Sequence, residues 1–325
     1  MAATLALAGD TMLGRKVGDA LLDDPDAPLV EPAVAARIAQ ADAFVLNLEC
    51  CISERGDRTG RIRGKPFFFR APAAAVESLG AIGISAAGLA NNHALDFGPV
   101  ALLDTIEHLH RAGIPAFGAG SDLGRARAGT VVDVAGTRLG VVAATDHPTE
   151  YAAGDGFPGV AHATLKRGAP GWLLDEISRI RQRADLVLTS LHWGPNKTVR
   201  PAGWQRSLAD ELLDAGADAI VGHSSHVFHG VAIRPGGPAF YDLGDALDDY
   251  AVEAGLRNDL GICAIWRPGG DPAVELIGLR LRFARTEVAG GDDAEWIAGR
   301  LDRACAALGS AVERRGEARF GLSPI

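Results

Sequence analysis

Thr4-Leu5-Ala6-Leu7-Ala8-Gly9-Asp10 is a short apolar run that stops abruptly at a glycine and a carboxylate. Such a run reads as a strand buried on both faces, with Asp10 at its carboxyl end. The same form recurs along the chain. Ala43–Leu48 leads to Asn47-Leu48-Glu49, and Ile84–Leu89 runs into Asn91-Asn92-His93. Leu186–Leu191 ends in His192-Trp193-Gly194, and Ala219–Val221 in Gly222-His223-Ser224-Ser225-His226. Thr130–Val134, Leu139–Ala144 and Ala239–Tyr241 are further runs of this kind.

Helical patterns separate the runs. One opens at Pro99 and stops before Gly113, with Leu102, Leu103, Ile106 and Leu109 at helical spacing. A second spans about Pro201 to Ala215, and a third runs from near Asp293 to Arg315 with Trp296, Leu301, Cys305, Leu308 and Val312 on one stripe. Strands alternating with helices predict βαβ units and a parallel-rich sheet. In the C-terminal third, Gly236-Gly237-Pro238 and Pro268-Gly269-Gly270 mark turns between antiparallel strands at Ile233–Arg234, Phe240–Leu243, Gly261–Trp266 and Leu279–Phe283. The expectation is one α/β domain over residues 1–285, with residues 286–325 as a C-terminal helical appendage packed on it.

Composition sets the bounds. Hydrophobic residues make up 47% of the 325, enough for a sizeable core. A net charge of −9 argues against a general nucleic-acid binder. The four cysteines lack C-x-x-C spacing and read as reduced thiols of a cytoplasmic protein. The N-terminus lacks a basic n-region, and no run approaches the ~20 apolar residues of a membrane span.

The strand ends carry the chemistry. Sites of open α/β sheets form at the carboxyl ends of strands. Asp, Glu, Asn and His gathered there suit one or two Mn, Fe or Zn dications better than a thiolate-loving ion. His229 stands evenly between ligand and bystander, Asp242 and Asp245 between support for the site and turn formation. His108 and His110, on a helix without partner donors, read as surface residues.

Taken in order, Gly9-Asp10-Thr11-Met12-Leu13-Gly14-Arg15, Asn47-Leu48-Glu49, Leu89 through Gly98, His192-Trp193-Gly194, Gly222-His223 through His226-Val227 and Tyr241-Asp242-Leu243-Gly244-Asp245 resemble the motif series of CapA-type proteins. These are named for bacterial poly-γ-glutamate capsule synthesis and are similar to calcineurin-like metallophosphoesterases. The resemblance covers about residues 4–285 and implies a four-layer α/β/β/α sandwich. It implies Asp10, Glu49, Asn92, His192, His223 and His226 as metal ligands and His93 as the group that protonates a leaving group. A pKa near neutrality would suit His93 to that task. Arg15 is expected to meet a substrate anion. Two departures stand out: the sequence before Asp10 does not show the Asp-x-His that usually opens metallophosphoesterases, and the N-terminal anchor of membrane-linked CapA proteins is expected to be absent. One metal position is therefore expected to be weak or differently liganded, and a role in capsule export is not expected.

The Arg55–Arg70 loop follows Glu49 closely and concentrates basic residues. Arg61, Arg63 and Lys65 are expected to form a cationic rim, and Trp193 to join them in contacting substrate. The function classes are a metal-dependent hydrolase or acyl transferase acting on an anionic, γ-glutamyl or polyglutamyl-type amide or ester, a phosphomonoesterase or phosphodiesterase, and a non-catalytic accessory protein of polymer synthesis.

Overall fold

Alternation along the central strands places the layers. In a computed structural model describing residues 3–325, Ala6 and Ala8 of strand Leu5–Thr11 face one apolar core while Leu5 and Leu7 face another. Leu186 and Leu188 share the second core, whereas Val187 and Leu191 of the same strand, Leu186–His192, enter a third. Leu5 and Leu7 of one sheet and Leu186 and Leu188 of another therefore meet in a shared core, which stacks the two sheets face to face, while the outer faces pack against helices. The molecule is the four-layer α/β/β/α sandwich, with mixed sheets, that the motif series implied.

The larger sheet orders its strands Ser310–Gly316, Arg319–Pro324, Val274–Arg282, Leu260–Trp266, Leu5–Thr11, Ala43–Leu48, Ala86–Gly88 and Ala116–Phe117. From Leu5–Thr11 to Ala116–Phe117 it is parallel; across Leu5–Thr11 to Leu260–Trp266 it turns antiparallel. The second sheet runs Val231–Arg234, Gly237–Phe240, Ala219–His223, Leu186–His192, Thr137–Thr145 and Thr130–Val134. Its four middle strands are parallel. Helices such as Gly98–Arg111 cover the first sheet, and Gly171–Arg181 and Gly203–Asp214 the second.

The C-terminal end differs from expectation. The last helix is Gly291–Ala306, and the chain then forms a hairpin whose strand Arg319–Pro324 pairs with Val274–Arg282. Gly309, at φ +79°, ends the helical path. Ile297, Leu301 and Cys305 enter the inter-sheet core, so this segment is packed on the domain, with a hairpin where helix was expected beyond Ala306. Among the described residues, no helix is long and apolar enough to cross a membrane, and all four cysteines are free and buried.

Candidate metal centre

Asp10 is aimed by a bulge. Pairing steps from Ala8 opposite Leu46 to Asp10 opposite Asn47, which leaves Gly9 as the extra residue. Only glycine fits there, because a Cβ would lie 1.8 Å from the Gly244 carbonyl oxygen. Asp10 is 1% exposed and held from both sheets. Its Oδ1 accepts from Asn47 Nδ2 at 2.6 Å and its Oδ2 from the Ser224 N–H at 3.0 Å. Ser224 adopts φ +104° and His226 φ +58°, strained backbone of the sort that persists where the surroundings over-determine a site.

Around Asp10 lie the other strand ends. His192 Nδ1 is 3.7 Å from its Oδ1, and His226 Nδ1 is 3.6 Å from its Oδ2. Glu49, His226 and Asp245 each bring a ligand atom to a cluster with Asp10 in which all lie within 4.8 Å of one another. His223 stands opposite His192 in parallel register, its Nε2 3.0 Å from Ser190 Oγ. Asn91, not Asn92, binds the loop together: its Nδ2 donates to Asn47 Oδ1 and to the Leu48 carbonyl, and its Oδ1 accepts from the His93 N–H.

Several polar atoms here are buried without a partner: Glu49 Oε1, Asp245 Oδ2, Asn92 Oδ1, His192 Nδ1 and His223 Nδ1. Leaving such atoms unpaired costs about 1–3 kcal/mol each, and their chemistry, hard oxygens with imidazole nitrogens, fits a Mn, Fe or Zn dication. Charge points the same way. Burial, and then the neighbouring Asp10, holds the Glu49 carboxyl well above the usual carboxylate range. Asp245 is raised by burial, Asp248 and Asp10. Burial pushes His223 down to about 4 and His192 well below its ordinary value. A cation would compensate the carboxylates and use the imidazoles in their neutral, ligating form.

His93 is set apart by its partner. Asp96, fully buried, accepts four donors: His93 Nδ1 at 2.5 Å and the Phe69 N–H at 2.7 Å on Oδ2, and Tyr151 Oη at 2.9 Å and Lys65 Nζ at 2.8 Å on Oδ1. A carboxylate so surrounded is acceptor only, so His93 carries its proton on Nδ1 and a lone pair on Nε2. Phe69 stacks on the ring at a centroid distance of 3.8 Å. Burial is the main cause that lowers His93 to about 4, against Asp96, so the near-neutral pKa expected from sequence is not found.

The substrate-facing set changes most. Trp193 is 1% exposed, packed edge-on to Trp204, with its Nε1 donating to the Tyr241 carbonyl. His192 turns towards Asp10, so the next side chain lies on the opposite face, in the outer core. Lys65 is not a rim residue either; its side chain is 9% exposed and spent on Asp96 and the Asn92 carbonyl. Arg61 and Arg63 are exposed. A mouth cavity of about 240 Å³ is lined instead by Arg15, Phe67, Phe69, His93, His226 and Tyr250. Arg15 stands there paired with Asp249 at 3.0 Å, its guanidinium within 6 Å of Phe67, Phe69 and Tyr250. Tyr250 Oη donates to Glu49 Oε2 at 3.0 Å.

Sequence reasoning passed over Asp96, Tyr250 and the pair Asp146–His147. Asp146 and His147 follow strand Thr137–Thr145 directly, and the His147 ring lies 5.2 Å from that of His192. The strand-end rule that marked Asp10 applied to them equally. His229 points away, its Nε2 on the Thr198 carbonyl at 3.1 Å, and Asp242 serves the loop, accepting from the Ser225 and Gly244 N–H groups.

The chain is similar to a probable polyglutamine synthesis accessory protein of Mycobacterium tuberculosis, 30% identical over 96% of this chain and 93% of that one. It is similar to the capsule biosynthesis protein CapA of Bacillus anthracis, 28% identical over 76% of this chain and 60% of that one. Among solved structures, the Haemophilus influenzae NAD nucleotidase aligns at TM-score 0.42 and 11% identity over 93% of this chain and 56% of that one. The family model of the bacterial capsule synthesis protein PGA_cap matches residues 4–250, and the chain belongs to that family.

Proposed function

We propose that this protein is a metal-dependent hydrolase or acyl transferase acting on an amide or ester of an anionic, γ-glutamyl-type molecule. The observation that carries the reading is the pairing of His93 with Asp96 beside a set of unpartnered metal-type donors. Asp10, Glu49, His226 and Asp245 would hold one dication, and His192, which lies beside Asp10, would serve a second together with His223 and Asn92, whose Nδ1 and Oδ1 are buried without partners. Such an ion supplies Lewis acidity and an acidified water. The residues do the rest. Asp96 fixes the His93 tautomer, so Nε2 can take a proton and pass it to the leaving nitrogen or oxygen. Arg15 offers a planar fork for a carboxylate once it shares or releases Asp249.

A second reading, a metal-binding accessory protein without turnover, is favoured by the printed name of the mycobacterial relative. One experiment separates them: metal analysis of the purified protein, followed by assay on γ-glutamyl amides and aryl phosphates. Turnover of the amides supports the proposal. Turnover of phosphates alone replaces it with phosphoester hydrolysis, and bound metal with no turnover of either supports the accessory role.

A further inference from the structure

A second cavity, about 900 Å³, opens between the first turn of helix Gly203–Asp214 and helix Gly291–Ala306. Four arginines line it: Arg200, Arg206, Arg300 and Arg303. Among the described residues none of the four forms an ion pair, whereas Arg257, Arg280, Arg314 and Arg319 nearby in the fold all do. Asp210, on the helix that carries Arg206, is taken by Arg234. In a chain of net charge −9, four unpaired guanidinium groups around one hollow create a local field opposite to the average.

Arg300 is the fixed member. Its Nε and Nη2 both donate to the Phe228 carbonyl at 3.2 and 3.0 Å, and its guanidinium lies 4.9 Å from the Phe228 ring and 5.3 Å from that of Trp296. Among the described residues the remaining N–H groups of the fork form no ion pair, Asp242 acting on Arg300 only from beyond ion-pair distance, and a half-buried cation so placed is costly. The helix start adds to this. Ala202 at the N-cap of Gly203–Asp214 has no side-chain acceptor; its own N–H is taken by Gln205 Oε1 at 2.8 Å, but the N–H groups that follow have no side-chain cap, and Ala202 and Gly203 line the hollow.

The shape argues for a chain rather than a small ion. Val199, Ala304 and Leu308 provide apolar lining between the arginines, which suits methylenes placed between charges. The hollow also shares its walls with the metal-centre mouth. Asn196 and Lys197 line the mouth while Val199 and Arg200 line the hollow, and the loop from Glu253 to Asn258 borders both, with Gly255 on the arginine side. Ser225, next to His226, ties that wall in place: its carbonyl accepts the Lys197 N–H at 2.8 Å and its Oγ donates to the Thr198 carbonyl at 2.6 Å.

We infer that this arginine-lined groove binds an acidic, peptide-like chain of repeated carboxylates, holding it alongside the mouth of the metal centre. The guanidinium forks meet the carboxylates and the apolar lining meets the methylenes. The inference concerns binding and does not rest on the metal-dependent chemistry proposed above.

Fluorescence anisotropy of a labelled γ-glutamate oligomer on the full chain, with bound metal and again with chelator, tests it. Arg206→Gln combined with Arg303→Gln changes two exposed residues and spares the fold. The expected result is a loss of affinity of ~10-fold or more, with metal content unchanged, since hydrogen bonds between ionised partners are the strong ones. Unlabelled glutamate oligomer should compete and oligoglutamine should not. Equal affinity in the double variant overturns the inference. Competition by inorganic phosphate or polyphosphate equal, charge for charge, to that of the glutamate oligomer also overturns it, leaving an unselective anion patch. Because binding is read without turnover, an inactive enzyme leaves the result interpretable.

Discussion

His93 and Lys65 meet on one carboxylate, and their different tasks there separate what each substitution will do. His93→Ala removes the lone pair that would carry the proton but none of the atoms clustered at Asp10. Turnover should fall ~10²-fold or more with metal content retained, the usual scale of a lost acid–base group; parallel metal analysis and rate measurement check this. Lys65→Gln breaks a buried pair with Asp96, whose side chain is fully buried. Urea unfolding should record a loss of about 3 kcal/mol, while Arg61→Gln with Arg63→Gln leaves the midpoint nearly unchanged. A Lys65 variant as stable as the arginine pair would place its amine back in solvent. The sequence showed that this loop is basic, but net basicity does not say which amine turns inward. The usable signal was Phe67-Phe68-Phe69 beside Lys65: Phe69 is 2% exposed, and burying it draws its neighbours towards Asp96. Asp96 itself was hidden because, His93 at i,i+3 apart, its donors are scattered between Lys65 and Tyr151, a convergence the local spacing does not reveal.

At the scale of elements, period-two alternation was legible wherever both faces of a strand met apolar layers, as in Leu5–Ala8 and Leu186–Leu191. The clustering of strand ends was legible too, since parallel strands must deliver their carboxyl ends to one edge. The C-terminal hairpin was not. Leu308 and Val312 continue the helical stripe from Trp296, and only Gly309 and Gly316 mark the stop and the turn. The bulge at Gly9 carries the element-scale prediction. A Cβ there would overlap the Gly244 carbonyl oxygen, so Gly9→Ala must push Leu5–Thr11 away from the segment that delivers Asp245. Overpacking of this kind costs about 1–3 kcal/mol, and Asp10 and Asp245 should no longer share an ion. Metal content below half of wild type in a still-folded variant is the expected reading; full occupancy would mean that the bulge does not aim the carboxylate.

Across the whole molecule, the centre couples stability to pH and to metal with a definite sign. Burial first, and then the charge of neighbouring carboxylates, raises Glu49, Asp242 and Asp245 well above their unfolded values. His226 is raised as well: burial lowers it, but the charges of Glu49, Asp10, Asp242 and Asp248 together outweigh that effect. A group with a raised folded pKa binds more protons folded than unfolded, so its contribution is lost as pH rises towards that pKa. His93 and His223, lowered to about 4, and His192, also lowered, act in the opposite sense, but only below the unfolded histidine value. Only above pH ~7.5, about a unit beyond the unfolded histidine value, are these three neutral in both states and without effect. From there to pH ~8.5 the raised groups dominate, and the chelated protein should lose thermal stability as they are forced to ionise in a buried cluster. A dication replaces the protons as counter-charge. Saturating Mn or Zn should therefore raise the midpoint most at the alkaline end, with a gain of about 2.7 kcal/mol at a hundredfold excess over Kd. Thermal melts at the two pH values, with chelator and with metal, decide the matter. A chelated protein whose midpoint rises with pH, or a metal effect equal at both ends, would mean that the carboxylates around Asp10 are not the groups that hold the ion.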